Sequence, residues 1–293
     1  MEQAQGIVVS IIAGYYFVEA KKNLWRCRGR GKLRLDDLAP MAGDRVEFSP
    51  GPEGTGTVLA VLPRTNWLLR PAVANVGAVV VVLAPQNPPP NLLLADKLLA
   101  QTLSQEMEAV VCVNKADLDP QGAQALAARY RRAGFPSLAC SALSGQGLDE
   151  LVSMLGEGIA VLAGQSGAGK SQIIAQVAGG RLELPVEVGK LSEKIGRGKH
   201  TTRQVSLLPL KSGGKIADTP GFSVLDLDID STALYRFYPE FTGGACKFSP
   251  CYHVHEPECA VIAGWQQGDI DSSRYENYLK IYAELQEKEA NRY

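Results

Sequence analysis

The sequence predicts a multidomain α/β protein, and three features predict it. Short β-patterned runs fill residues 1–65, strand and helix patterns alternate over 66–225, and a cysteine/histidine cluster with helical periodicity occupies 226–293. A chain of 293 residues, 45% of them hydrophobic, can bury more than one core.

The first region contains GIVVSI, YYFVEA, LWRCR, DRVEF and GTVLAVL, separated by turn-rich stretches such as SPGPEGTG. Five short strands without helical period suggest a small barrel of the OB type, although an SH3-like barrel would be patterned similarly. In the second region VGAVVVVLA and AVVCVN are almost wholly apolar, as strands covered on both faces are. Between them NLLLADKLLAQTLSQE has helical period. DPQGAQALAARYRRAG reads as a second helix, with Asp119 capping its start, Pro120 in its first turn and Gly134 at its end. SLACSA, GIAVLAG, VSLLPL and GKIADT supply further strands, so a parallel α/β layer is expected. In the third region Tyr275, Tyr278, Leu279, Tyr282 and Leu285 recur at helical spacing, a stripe that reads as core packing.

Net charge is −1, so bulk charge names no partner. Its distribution says more: Lys21, Lys22, Arg26, Arg28, Arg30, Lys32 and Arg34 surround Trp25 with no acidic residue among them. Charge with an aromatic on a barrel strand suits RNA, while a plain solvated face has the same composition. The longest apolar run is too short to span a bilayer, and the start lacks a basic signal region, so a cytoplasmic protein with no membrane partner is expected. Cys27, Cys112 and Cys140 are isolated, two of them in buried-strand patterns.

GQSGAGKS, from Gly164 through Gln165, Ser166, Gly167, Ala168, Gly169 and Lys170 to Ser171, follows a strand and precedes the helical SQIIAQVAG. Its glycines let successive N–H groups curl round a phosphate, with Gln172 just beyond. Lys170 reaches the β/γ oxygens, where it stabilises the transferred group, and the Ser171 hydroxyl ligates Mg²⁺. NKAD comprises Asn114, Lys115, Ala116 and Asp117 at a strand end. The Asp117 carboxylate can accept both guanine N1–H and N2–H₂, Asn114 can address the other edge and the glycine-turn backbone, and the Lys115 stem covers the base. In CSAL a backbone N–H near Ser141 or Ala142 can meet guanine O6. DTPG places Asp218 for Mg²⁺ and the Gly221 N–H for the γ-phosphate. In GRGKHTTR either Thr201 or Thr202 would complete the magnesium shell, and spacing does not choose between them.

These elements belong to a GTP site, but their order is permuted: base-reading loops first, glycine turn next, γ-phosphate segments last. A folded domain depends on which strands adjoin, not on where its chain begins, so joining nearby termini and cutting elsewhere preserves the site. A P-loop kinase or ATPase would leave Asp117 without purpose. A pure RNA-binding scaffold would leave Lys170, Ser171 and Asp218 without purpose.

CKFSPCYHVHEPEC presents Cys246, Cys251 and Cys259 with His253, and His255 two residues on. Three thiolates and one imidazole make a closed, structural zinc site. Where many GTPases carry a water-orienting glutamine after Asp-x-x-Gly, this chain carries Phe222, so slow hydrolysis by the isolated protein is expected. His200 is the internal candidate for positioning water, or else an ordinary loop residue.

On NKAD, GQSGAGKS, GRGKHTT and DTPGF in that order, followed by the Cys/His cluster, the chain resembles the bacterial small-ribosomal-subunit-dependent GTPases over essentially its whole length. The resemblance implies an N-terminal OB domain, a central circularly permuted P-loop GTPase domain and a C-terminal zinc domain, and it selects His253 as the fourth zinc ligand. It further implies that the protein binds GTP and GDP as a monomer and acts in late maturation of the 30S subunit, with hydrolysis stimulated by that subunit. The basic barrel would then contact 16S rRNA.

Overall fold

The computed structural model describes residues 3–29, 39–180, 205–219, 227–242 and 244–291. His200, Thr201, Thr202, Gly221, Phe222, Arg30, Lys32 and Arg34 lie outside the described residues.

In chain order the barrel region supplies β1 (Ala4–Ile12), β2 (Tyr15–Ala20), β3 (Asn23–Gly29), β4 (Arg45–Pro50) and β5 (Thr55–Val61). Then come β6 (Trp67–Leu69), β7 (Ala72–Ala74), β8 (Val76–Leu83), α1 (Leu92–Ser104), β9 (Glu108–Val113), α2 (Pro120–Arg132) and β10 (Ser137–Ala139). These lead to α3 (Leu148–Leu155), β11 (Ile159–Ala163), α4 (Lys170–Val177), β12 (Ser206–Pro209) and β13 (Lys215–Asp218). The chain ends in α5 (Ala260–Gln267) and α6 (Ser272–Ala290), preceded by 3-10 turns at Ser231–Phe237 and Pro239–Phe241.

Two compact units result. One comprises Met1–Gly77, Leu155–Val161 and Val177–Phe222; the other comprises Ala78–Met154, Leu162–Gln176 and Ser223–Tyr293.

In the first unit β1 pairs antiparallel with β2 and β4, β2 with β3, and β4 with β5, while β3 and β5 run parallel. The ladder therefore closes on itself, which removes the free edges an open five-stranded sheet would expose. This closed five-stranded order is that of an OB-type barrel. Its interior is Val8, Val18, Cys27, Val46, Phe48 and Val58. The Val18↔Trp25 and Tyr16↔Cys27 registers put Trp25 on the same side of β3 as Cys27, and Trp25 packs against Phe48 at 5.8 Å between centroids. Side chains alternate along a strand, so Arg26 and Arg28 take the opposite face. There they lie over the Tyr15 ring at 5.4 and 5.0 Å. Trp25 thus belongs to the barrel packing, and the aromatic that accompanies the arginines is Tyr15. β6 and β7 form a hairpin that the sequence pattern did not suggest, because three-residue strands show no usable alternation.

In the same unit β1 also meets β12, with Ser10 and Ser206 hydroxyls 3.0 Å apart. β12 is antiparallel to β13, and residues 159–161 of β11 are parallel to it. The register from Ile159↔Lys215 to Val161↔Ala217 brings Asp218 to the carboxyl end of that strand pair.

The second unit holds the parallel ladder β8–β9–β10, buried along nearly every residue as its apolar sequence requires. α1 begins at Asn91, whose side chain accepts the Leu94 N–H at 3.0 Å. α2 begins at Asp119, which accepts the Gly122 N–H at 2.9 Å. The aromatic stripe of α6 is core: Tyr275, Tyr278, Tyr282 and Leu285 pack with Leu234, Tyr238, Phe241 and Ala100. A buried polar knot ties α6 to α1. Arg274 binds Asp96 at 2.6 Å and Glu240 at 2.7 Å, Asn277 and Tyr130 complete the Asp96 carboxylate, and the guanidinium lies 4.4 Å from the Tyr238 ring centre. Burial pushes the Asp96 carboxyl up, against the pull of Arg274 and its hydrogen-bond donors. Among the described residues no helix is long and apolar enough to cross a membrane.

Candidate functional site

β11 ends in the glycine turn. Gly164, at φ 133°, passes so close to β8 that a Cβ there would stand 2.3 Å from the Val82 carbonyl oxygen. Gly169, at φ 94°, leaves room for a neighbour's side chain: a Cβ would stand 2.2 Å from Asn114 Nδ2. α4 starts immediately after, so the turn's N–H groups and the helix N-terminus share one anion-favouring end. Lys170 lies back over the turn, donating to the Gly164 carbonyl at 2.6 Å and the Gln165 carbonyl at 2.9 Å. Burial lowers its pKa, a penalty that a phosphate beside the ammonium would offset.

Asn114 is the keystone. It is 1% exposed at the carboxyl end of β9, its Nδ2 donates to the Ala168 carbonyl at 3.0 Å, and its Oδ1 accepts the Ala142 N–H at 2.9 Å. One side chain therefore bolts Asn-Lys-Ala-Asp to the glycine turn on one side and to the Ser-Ala loop on the other. Asp117 is exposed and its Oδ1 accepts the Ser141 hydroxyl at 2.5 Å, which aims the carboxylate. The Ala116 N–H donates to the Cys140 carbonyl at 3.0 Å. Ser141 N–H bonds the Gln146 carbonyl at 2.9 Å, so both N–H groups proposed for guanine O6 already have acceptors and would share them. Asn114, Lys115, Ala116, Asp117, Ser141, Ala142 and Gly164 to Gln172 are thus brought together within one unit. Ser171, in the first turn of α4, and Asp218, at the end of β13, are each exposed oxygen donors of the type a hard Mg²⁺ takes.

Sequence patterns missed the run Gln86 to Asn91, which leaves β8 beside these loops. Its position at the carboxyl end of a buried parallel strand, where ligand crevices form, was the available signal. They missed Tyr15 because its arginine partners lie on the next strand.

The metal cluster is equally compact. One ligand atom from each of Cys246, Cys251, His253 and Cys259 lies within 4.8 Å of every other. His253 Nδ1 is 3.7, 3.4 and 3.3 Å from the sulfurs of Cys246, Cys251 and Cys259, and Cys246 and Cys259 sulfurs are 3.9 Å apart. Bonds of about 2.3 Å to sulfur and about 2.0 Å to nitrogen give tetrahedral edges of about 3.5–3.8 Å, so the donors fit zinc. Burial pushes the Cys251 thiol up to about 12 and lowers His253, which keeps the imidazole neutral and makes the crowded thiolates depend on a cation. His255 is exposed and outside the cluster. Four backbone contacts organise the loop between the ligands: Glu256 accepts the N–H groups of Tyr252, Val254 and His255, and Tyr275 donates to the His253 carbonyl at 2.9 Å. Replacing Cys259 by Ser is therefore expected to abolish stoichiometric zinc, measured by elemental analysis, and to lower the melting temperature of the α6 unit.

Comparison with known proteins agrees with this geometry. A family model described as RsgA GTPase matches residues 61–228, and one described as RsgA N-terminal domain matches 5–58. The chain is 41% identical over 296 residues to the small ribosomal subunit biogenesis GTPase RsgA of Caldanaerobacter subterraneus subsp. tengcongensis, covering 100% of this chain and 99% of that one. It is 42% identical to the protein of the same name from Moorella thermoacetica, covering 96% and 97%. Among solved structures, YjeQ from Thermotoga maritima superposes with TM-score 0.82 at 36% identity, covering 97% and 99%. YloQ, described as a circularly permuted GTPase, gives 0.80 at 29% identity, covering 98% and 96%. With its permuted loops gathered round Asn114 and its full-length relatives, the chain belongs to the RsgA GTPase family of GTP-hydrolysing enzymes.

Proposed function

We propose that this enzyme is a cytoplasmic, monomeric factor that binds the small ribosomal subunit, assists late 30S maturation, and hydrolyses GTP to GDP and phosphate under stimulation by that subunit. The observation that carries the reading is the pair of Asn114 hydrogen bonds that unite the base-reading loops with the glycine turn. The names of the full-length relatives point to the subunit.

In this mechanism Asp117 takes the paired guanine donors, Asn114 and Lys115 flank the base, and Ser141 and Ala142 border O6. The N–H groups of Gly164 to Gln172 cradle the phosphates, and Lys170 leaves the turn carbonyls to stabilise charge on the transferred phosphoryl group. Ser171, Asp218 and one of Thr201 and Thr202 are the oxygen donors that would hold Mg²⁺, which would supply neutralisation of phosphate charge. The Gly221 N–H reads the γ-phosphate. His200 positions the attacking water, because Phe222 can neither donate nor accept. The zinc cluster is structural. Lys21, Lys22, Arg26 and Arg28, with Arg30, Lys32 and Arg34 in sequence, form the rRNA-facing charge of the barrel.

GTP turnover titrated with purified 30S and 50S particles tests the reading. A rise of about 100-fold or more with 30S alone is expected, the scale on which one added charge-stabilising group acts. No rise with 30S would remove the subunit from the function. Equal stimulated rates for wild type and His200→Ala would remove His200 from the mechanism.

A further inference from the structure

Between β8 and α1 runs Gln86-Asn87-Pro88-Pro89-Pro90-Asn91, a stretch that the nucleotide motifs do not include. It makes bonds to both nucleotide loops. On one side the Gln86 amide donates to the Leu118 carbonyl at 2.9 Å, one residue past Asn-Lys-Ala-Asp. The Lys115 ammonium donates to the Asn87 carbonyl. On the other side Gln165, second residue of the glycine turn, is gripped twice. Its Nε2 donates to the Pro89 carbonyl at 2.9 Å and its Oε1 accepts the Asn91 N–H at 2.8 Å. Pro88 also packs against the turn, since a Cβ on Gly167 would stand 3.3 Å from its Cδ.

We propose that residues 86–91 are a brace for the nucleotide site, with Gln165 as its positioning residue: they hold the base-reading loop and the glycine turn at the separation a guanine nucleotide spans, and so slow its release. The inference rests on the reading of those two loops as the guanine nucleotide site. Its physical basis is pre-organisation. Each loop end is anchored to one short segment whose three consecutive prolines restrict its backbone, so less ordering is left to be done when the ligand arrives. Gln165 commits both its amide nitrogen and its amide oxygen to the brace, which leaves its backbone N–H for the cradle. The segment is itself anchored, because Asn91 is the cap of α1 and α1 carries Asp96 of the buried polar knot.

Release of N-methylanthraniloyl-GDP from the full chain, chased with unlabelled GDP, tests this with wild type, Gln165→Leu and Gln86→Ala. Gln165→Leu removes two hydrogen bonds, and release about tenfold faster is expected; Gln86→Ala, at an exposed position, removes one and should release about threefold faster. In turnover the loss should fall on KM rather than kcat. Without nucleotide the melting temperature of Gln165→Leu should fall by no more than a few degrees, the cost of two hydrogen bonds, while the rise caused by GDP shrinks. If wild type does not retain the labelled GDP, the site reading itself fails. If wild type retains it and Gln165→Leu retains it equally, the brace is overturned. A Gln165→Leu variant with lowered kcat and a GDP-induced rise as large as that of wild type also overturns it, since Gln165 would then be a general structural support.

Discussion

Replacing Asp117 by Asn is expected to weaken GTP and GDP binding by roughly 100-fold or more, because two hydrogen bonds to a charged acceptor are lost together. The carboxylate is an acceptor only, and the Ser141 hydroxyl at 2.5 Å already orients it toward such a task. An asparagine offers one acceptor and one donor, so it opposes one of the two guanine donors instead of accepting it. Xanthine carries a carbonyl where guanine carries its amino group. The same variant should therefore gain affinity for xanthosine diphosphate while losing guanosine diphosphate, a reversal that general damage to the fold would not produce. Calorimetric titration of both nucleotides against both proteins measures it. Equal guanosine diphosphate affinity in the two proteins would show that Asp117 does not read the base.

Replacing Arg274 by Ala is expected to destabilise the unit that carries α1 and α6 by about 3–5 kcal/mol, the cost of leaving a buried carboxylate without its cation. Arg274 and Asp96 are each 1% exposed, and the guanidinium also holds Glu240 through Nε and Nη2 and packs on the Tyr238 ring. The triple change Arg274→Met, Asp96→Leu and Glu240→Gln should cost less than Arg274→Ala alone, since it removes all three charges of the knot and keeps most of its volume. Denaturant titration of wild type and the two variants checks the order. Should Arg274→Ala lose less than the triple variant, the buried charges would not be what fastens α6 to α1.

The parts of the site that depend on short spacing were legible in the chain. Gly164 to Ser171 announces a phosphate turn because glycines and Lys-Ser at fixed intervals have few other uses. Cys246, Cys251, His253 and Cys259 announce zinc because four donors in one short loop have few other partners. The five barrel strands followed from short β-patterned runs between turns, and β8 and β9 from unbroken apolar runs. Other features did not. Trp25 sits in a basic stretch and invites a stacking role, yet cross-strand register puts it on the Cys27 side and gives the arginines to Tyr15. β6 and β7 are too short to show a period. The run from Gln86 to Asn91 has the composition of a linker, and only its bonds to Leu118, Lys115 and Gln165 distinguish it.

By itself the sequence determined which motifs are present: a glycine turn ending in Lys-Ser, an Asn-Lys-Ala-Asp strand end, a four-donor Cys/His loop and five barrel strands, in a permuted order. Local spacing suffices for these, because each is made by residues a few positions apart. Only the tertiary structure decided that Asn-Lys-Ala-Asp, the glycine turn and the Ser-Ala loop meet within one unit. Asn114 reaches a carbonyl 54 residues away and Arg274 a carboxylate 178 residues away. Such pairings depend on which strands and helices lie side by side, and that is set by burial of the whole apolar surface rather than by any stretch of sequence.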